Sequence, residues 1–243
     1  MAPPSHLRDQ TVQSMFDRIA ERYDLLNRVI SLRLDARWRS EVVRNALAVN
    51  HPVIVDLGTG TGDLALSAAK MTHGEARIVG LDFSLQMIRL AQSKRARSRY
   101  GSVTAFVQGS AMNAPFKAQS FDAAMTAFVL RNISDLAQFF LEAHRVLKPG
   151  GRLVSLDMYP PPPGWFATLY SIYFHRVMPW IAGWLSRNRG AYQYLSDSVR
   201  QFHPPQTIAK LMEEAGFKAV TVRKFLRGSV CMHTAMKAPS APE

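Results

Sequence analysis

Val53-Ile-Val-Asp56-Leu57-Gly58-Thr-Gly60-Thr61-Gly62-Asp63 is a short apolar run that ends in an acid and breaks into a loop with glycine at every second position. A continuous apolar run bounded by turn residues reads as a strand buried on both faces. Turning sharply from a strand into a helix needs residues that tolerate unusual backbone angles and let a ligand come close, and glycine supplies both. Downstream, strands are expected at Ala76–Asp82, Val103–Val107, Phe121–Phe128 and Arg152–Met158. Helices alternate with them at Asp63–Met71, from an N-cap at Ser84 to about Arg97, and at Asp135–Leu147, where Lys148-Pro-Gly-Gly151 supplies the stop. Such alternation predicts an α/β fold, a doubly wound and mostly parallel sheet of seven strands with helices on both faces. Lys218–Phe225 and Ser229–Met236, around Arg227-Gly228, complete it as an antiparallel hairpin.

Upstream, Val12, Met15, Phe16, Ile19, Ala20 and Tyr23 keep helical spacing, and a second helical segment runs from about Asp35 to Ala48 before His51-Pro52. Between the fifth strand and the hairpin, Pro160–Pro163 makes a stiff break, and 165–186 is crowded with aromatics. The organisation read from these shifts is an N-terminal helical cap (1–50), a ligand-binding core (51–160), an inserted aromatic helical lid (161–203), a C-terminal helix and closing strands (204–237) and a tail (238–243).

The 243 residues carry 30 Lys+Arg against 18 Asp+Glu, a net charge of +12, with 47% hydrophobic and 20% charged residues. That composition excludes a disordered or fibrous chain. The single cysteine, Cys231, excludes an intrachain disulfide framework and an all-thiolate metal site. His6, His51, His73, His144 and His203 form no ligand cluster, so no metal is expected. The first residues hold no apolar run of a secretory signal, and no uninterrupted apolar stretch is long enough to span a bilayer, so the chain reads as cytoplasmic. The excess positive charge calls for an anionic partner: nucleic acid, lipid headgroups or an acidic small molecule.

The glycine loop is Gly-x-Gly-x-Gly, not the Gly-x-Gly-x-x-Gly that seats a pyrophosphate on a helix N-terminus. Asp56 and Asp63 flank it with negative charge, an acidic rim that suits a cationic ligand such as S-adenosylmethionine. Asp82, at the tip of the next strand, is placed to accept both hydroxyls of a ribose. Gln108-Gly-Ser110-Ala111 follows the third strand with a polar and an apolar group for an adenine. This order resembles the class I, Rossmann-like S-adenosylmethionine-dependent methyltransferases over roughly residues 50–160 and 215–237.

Further stretches narrow the resemblance to the quinone C-methyltransferases of ubiquinone and menaquinone biosynthesis. They are Met15-Phe-Asp-Arg-Ile-Ala-Glu-Arg-Tyr23-Asp24-Leu-Leu-Asn27, Arg37-Trp38-Arg39, Phe128-Val-Leu-Arg131-Asn132-Ile-Ser-Asp135, Tyr192-Gln-Tyr194-Leu195-Ser-Asp-Ser198 and Arg227-Gly-Ser-Val-Cys-Met-His233. The match spans nearly the whole chain. It implies S-adenosylmethionine contacts at Thr61, Asp82, Ser110 and Ala111 beside the loop glycines Gly58 and Gly60, and a catalytic neighbourhood at Arg131 and Asn132 closed over by Tyr23. It implies a polyprenyl benzoquinol or naphthoquinol substrate. The sequence departs from the family at Ala127, where a serine is usual, at Arg33 and Asp35, and at Leu156-Asp-Met-Tyr, where Glu-Phe-Ser is usual.

Methylating a ring carbon needs an electron-rich ring, supplied when a quinol hydroxyl loses its proton, and afterwards a base must take the ring hydrogen. The protein must orient the partners, stabilise the phenolate and exclude water. Arg131 suits a phenolate because a guanidinium stays charged, and for the same reason it makes a poor base, so proton removal there would run through a bound water. A plain salt bridge from Arg131 to Asp135 is the competing reading, as a packed core residue is for Tyr23, His175 and His233. The aromatic segment 165–186 reads as a lid helix, or as a greasy wall facing a membrane, or both.

Rival functions are a methyltransferase for another small molecule, a nucleic-acid methyltransferase and a non-catalytic scaffold. Against nucleic acid, no Asn/Asp-Pro-Pro-aromatic tetrapeptide is present, Cys231 has no Pro-Cys context, and the basic residues are scattered apart from Arg89–Arg99. The intact acids and glycines speak against a scaffold. The charge then fits peripheral contact with an anionic membrane, and a homodimer stays open.

Overall fold

The computed structural model describes residues 5–31, 33–47, 52–173 and 189–240. The sheet forms from β1 (Val53–Leu57), β2 (Arg77–Asp82), β3 (Thr104–Gln108), β4 (Phe121–Ala127), β5 (Leu147–Met158), β6 (Phe217–Phe225) and β7 (Val230–Lys237). Their order is β3-β2-β1-β4-β5-β7-β6. Only β7 runs against its neighbours, paired antiparallel to both β5 and β6. The order reverses at β1, flanked by β2 and β4, so the crevice beyond the strand tips opens beside the glycine loop.

The helices are α1 (Ser5–Ile30), α2 (Leu34–Ala46), α3 (Asp63–Met71), α4 (Leu85–Arg97), α5 (Leu136–Val146), α6 (Trp165–Ile172), α7 (Arg189–Arg200) and α8 (Pro205–Glu214). Alternate residues of each buried strand feed two cores. On one face Ile54, Ile78, Met125 and Val154 pack with Val42 of α2, Ala65 of α3 and Ile88 of α4. On the other, Val55, Leu81, Ala124 and Leu153 pack with Phe139 and Phe140 of α5 and Ile208 of α8. The caps are local: Ser84 accepts the amide of Met87, and Asp135 accepts that of Gln138.

Trp38, Val42, Val43 and Ala46 give α2 a buried stripe on the sheet face, while α1 lines the crevice beyond the strand tips. One detail differs from the sequence reading: Lys148-Pro-Gly-Gly151 does not separate α5 from β5. Leu147 already pairs with Phe121, the ladder shifts register between Phe121 and Ala123, and Gly150 absorbs the irregularity at φ 78°. Residues 174–188 of the aromatic segment, His175 among them, His51 and the last tail residues lie outside the described residues.

Phe139 is fully buried and meets the Phe140 ring edge-on at 5.3 Å. Phe139→Ala should lower the unfolding free energy by about 3–5 kcal/mol with an unchanged denaturant slope, measured by equilibrium urea unfolding.

Candidate active site

The glycine loop is held from below by β2. The amides of Gly58 and Thr59 both donate to the Leu81 carbonyl, at 2.8 and 2.9 Å. At Gly58 a Cβ would fall 2.6 Å from the Val129 side chain, so glycine here lets the loop after β4 close on the loop after β1. Asp82 then ties the strand tips together. Its carboxylate accepts the Gly60 amide at 2.8 Å and the Ser84 amide at 2.9 Å. Burial pushes the Asp82 carboxyl up to about 6 against those two backbone bonds, and nearby Asp17 adds to the rise. A carboxylate offers about four acceptor positions. Backbone amides take up part of that capacity, and Asp82 lines a cavity.

That cavity, of about 220 Å³, is lined by Gly58, Gly60, Asp82, Ser110, Ala111, Tyr23 and Asn132. These expected site residues come from segments far apart in the chain. Thr61 and Arg131, expected beside them, are not on its wall. The Thr61 hydroxyl donates to Asp24 at 2.5 Å and accepts from Lys94 at 2.8 Å, which pins α1 to the loop. Gln108 is turned away as well, donating to the Phe83 carbonyl.

Neither acid of the expected rim, Asp56 or Asp63, lines the cavity, whereas Asp82 does. Asp63 lies between Arg39 at 2.8 Å and Lys94 at 2.6 Å. Burial pushes its carboxyl up, but those two cations together pull it below its ordinary value. Asp56 sits under the loop and accepts the Thr59 hydroxyl at 2.7 Å. Burial raises it to about 7, so near neutral pH it is only partly charged.

Helix α1 roofs the cavity with Val12, Phe16 and Tyr23. Gln13 donates to the Phe83 carbonyl at 2.9 Å, and the Ser84 hydroxyl meets Asp17 at 2.5 Å. The Val12, Phe16 and Tyr23 spacing was visible as a helical stripe; what it covers was not. The sequence reading also missed the apolar wall residues Phe83, Met87 and Met112.

Phe128 leaves β4 with φ 63°, an unusual angle for a bulky residue, and hydrogen-bonds the Leu156 carbonyl at 2.7 Å. That turn sets Val129 and Asn132 on the cavity wall and sends Arg131 behind it. Arg131 pairs not with Asp135 but with buried Asp157, at 2.5 Å. Burial lowers the guanidinium and Asp157 more than restores it. The Arg131 charge also acts on the Tyr23 and Tyr170 phenols. Tyr194 of α7 donates to Asn132 Oδ1 at 3.0 Å. Tyr23 is raised by burial, with Asn27 and Arg131 opposing. Asp157, Tyr170 and Tyr194 thus join the neighbourhood. A lone acid at the end of β5 was the only signal for the first.

The ubiE/COQ5 methyltransferase family matches residues 5–237 of this chain. The chain belongs to that family. A demethylmenaquinone methyltransferase of Thermus thermophilus is 45% identical over 84% of this chain and 91% of its own. A ubiquinone/menaquinone biosynthesis C-methyltransferase of a Geobacter strain is 40% identical over 88% and 90%. Among solved structures, a methyltransferase of Thermotoga maritima superposes with TM-score 0.65 over 93% of this chain and 99% of its own, at 19% identity, which shows the shared fold.

This ubiE/COQ5 chain is therefore an S-adenosylmethionine-dependent methyltransferase, and the residues lining the cavity have the chemistry to hold that cofactor. Gly58 and Gly60 would allow a close backbone approach, Asp82 would accept from ribose hydroxyls, and Ser110, Ala111 and the apolar wall would meet an adenine. Asp82→Ala should weaken S-adenosylmethionine binding by about 10- to 100-fold, the loss of charge-assisted hydrogen bonds. In the wild type, affinity should fall as pH drops through about 6, where Asp82 takes up its proton. Isothermal titration calorimetry from pH 5 to 8 checks both.

Proposed function

We propose that this methyltransferase acts on a ring carbon of a demethyl polyprenyl quinol, a naphthoquinol or a benzoquinol, in menaquinone or ubiquinone biosynthesis. The observation that carries the reading is Arg131, a buried guanidinium fixed by Asp157 directly behind the Asn132 wall of the cofactor cavity. A guanidinium has five donors, and Asp157 engages one Nη. From behind that wall its charge stabilises a phenolate, while Tyr23, Asn132 and Tyr194 orient the ring and exclude water. Bound S-adenosylmethionine supplies the electrophilic methyl group. The relatives' names support a quinone ring, and several at 34–45% identity carry the demethylmenaquinone name, so a naphthoquinol is the first to test.

Incubation with labelled S-adenosylmethionine and each demethylquinol should place the label on a ring carbon; label on oxygen, or on neither quinol, overturns the reading. Arg131→Lys retains a cation near Asp157 but loses the planar fork. It should lower kcat by about 10²-fold with cofactor affinity unchanged.

The substrate's greasy tail implies contact with a bilayer. Among the described residues no helix is long and apolar enough to cross a membrane. Next to the C-terminal end of β5, however, Trp165 of α6 is 62% exposed, Leu226 of the β6–β7 turn 43%, and Arg227 stacks on the Trp165 ring at 4.6 Å. An exposed aromatic bearing a cation suits an anionic interface, where each basic residue adds about 1 kcal/mol. Anionic vesicles should retain the protein at low salt and release it at high salt, and Trp165→Ala should weaken retention. Equal retention on neutral vesicles would remove the electrostatic part of this reading.

A further inference from the structure

Five buried polar atoms without a hydrogen-bond partner belong to one neighbourhood: Thr126 Oγ1, Arg131 Nε, Ser155 Oγ, the Tyr159 hydroxyl and His233 Nδ1. The sheet itself aligns three of them. Thr126 on β4 is in register with Ser155 on β5, and Ser155 with His233 on β7. Residues in register point to the same face, so their side chains form a row. The Tyr159 ring lies 5.9 Å from that of His233. Asp157, one same-face step beyond Ser155, holds Arg131, and its charge acts on both Tyr159 and His233.

Buried polar groups are nearly always satisfied, and valine and alanine would fill the places of Thr126 and Ser155 without that problem. Two hydroxyls that donate or accept, a phenol, an N–H donor and an imidazole nitrogen are the partners that a small amphoteric ligand needs, and water is that ligand. His233 Nε2 lies 2.9 Å from the Pro205 carbonyl, which can only accept. Nε2 therefore carries the hydrogen of the neutral ring, and Nδ1 is left with its lone pair.

We propose that these groups bind a short internal file of water molecules between Arg131 and His233, and that this file takes away the proton lost from the substrate ring. The inference rests on the quinol reading above. After the new C–C bond forms, the methylated ring carbon still carries its hydrogen. Its C–H bond breaks, the electron pair returns to the ring and restores aromaticity, and a water takes the proton. Transfer along the file ends at His233 Nδ1, giving an imidazolium whose Nε2–H stays on Pro205. The groups around His233 are Asp157 and Tyr159 from the β5 side, with Arg131 held on the far side by Asp157, the Pro205 carbonyl of α8, and Cys231 on β7 itself. Burial pushes the Cys231 thiol up to about 11, leaving it protonated, and pushes His233 below its ordinary value, leaving it neutral and ready to accept.

A high-resolution crystal structure should show ordered waters within hydrogen-bond distance of Ser155, His233 and Arg131. Single-turnover methylation at saturating cofactor should slow as pH falls through the His233 pKa, below about 6.5. His233→Gln should lose about 10²-fold at neutral pH and lack that acidic limb. Ser155→Ala, a smaller change that interrupts the file, should slow the step with S-adenosylmethionine affinity intact. Dry density around these atoms in an enzyme that methylates a quinol overturns the site alone. Waters present with unchanged rates and pH profiles in both variants overturn the relay. A chain that methylates neither quinol overturns the relay together with the quinol reading.

Discussion

The Asp82 carboxylate holds the ligand end of the fold together. By accepting the amides of Gly60 and Ser84 it fixes the glycine loop, the tip of β2 and the first turn of α4 relative to one another. Ser84 carries the connection on to Asp17, so the helix that roofs the cavity hangs from the same point. Burial makes this carboxylate costly to ionise, and the two backbone donors offset only part of that cost. The loop is therefore preorganised around a charge that a ligand rich in hydroxyls stabilises further.

A second network braces the roof from outside. Asp24 of α1 meets Lys94 of α4 and the Thr61 hydroxyl, while Asp63 joins Lys94 to Arg39 of α2. Charges that could have faced the ligand are spent on clamping helices. The cavity wall is mostly apolar, which excludes water from a methyl transfer.

Local signals carried much of this into the sequence. The acids Asp56 and Asp82 near the strand tips, the Ser84 cap and the closing hairpin follow from rules that act over a few residues, and each is where those rules put it. What could not be read is set by contacts across the fold. Asp157 is 26 residues from Arg131, and only the pairing of β4 with β5 brings them together, so nearby Asp135 looked the better partner. The acidic rim failed similarly. Local charge was counted correctly, but Arg39 and Lys94 arrive from elsewhere to neutralise Asp63. Tyr194 stood in a stretch that marks the family, but its partner became visible only when α7 delivered it to Asn132.

The reversed direction of β7 has a consequence for how the strand-tip end of the sheet is assembled. Because Val230 pairs with Met158 at the end of β5, the turn that precedes β7 emerges on the same side as the loops after β1, β2 and β4. A parallel last strand would have left that turn at the opposite end. Reversal brings the final segment of the chain to that end, with Arg227 resting on Trp165. Sequence change in that turn therefore alters the strand-tip end of the fold while leaving the glycine loop, encoded more than a hundred residues earlier, as it is.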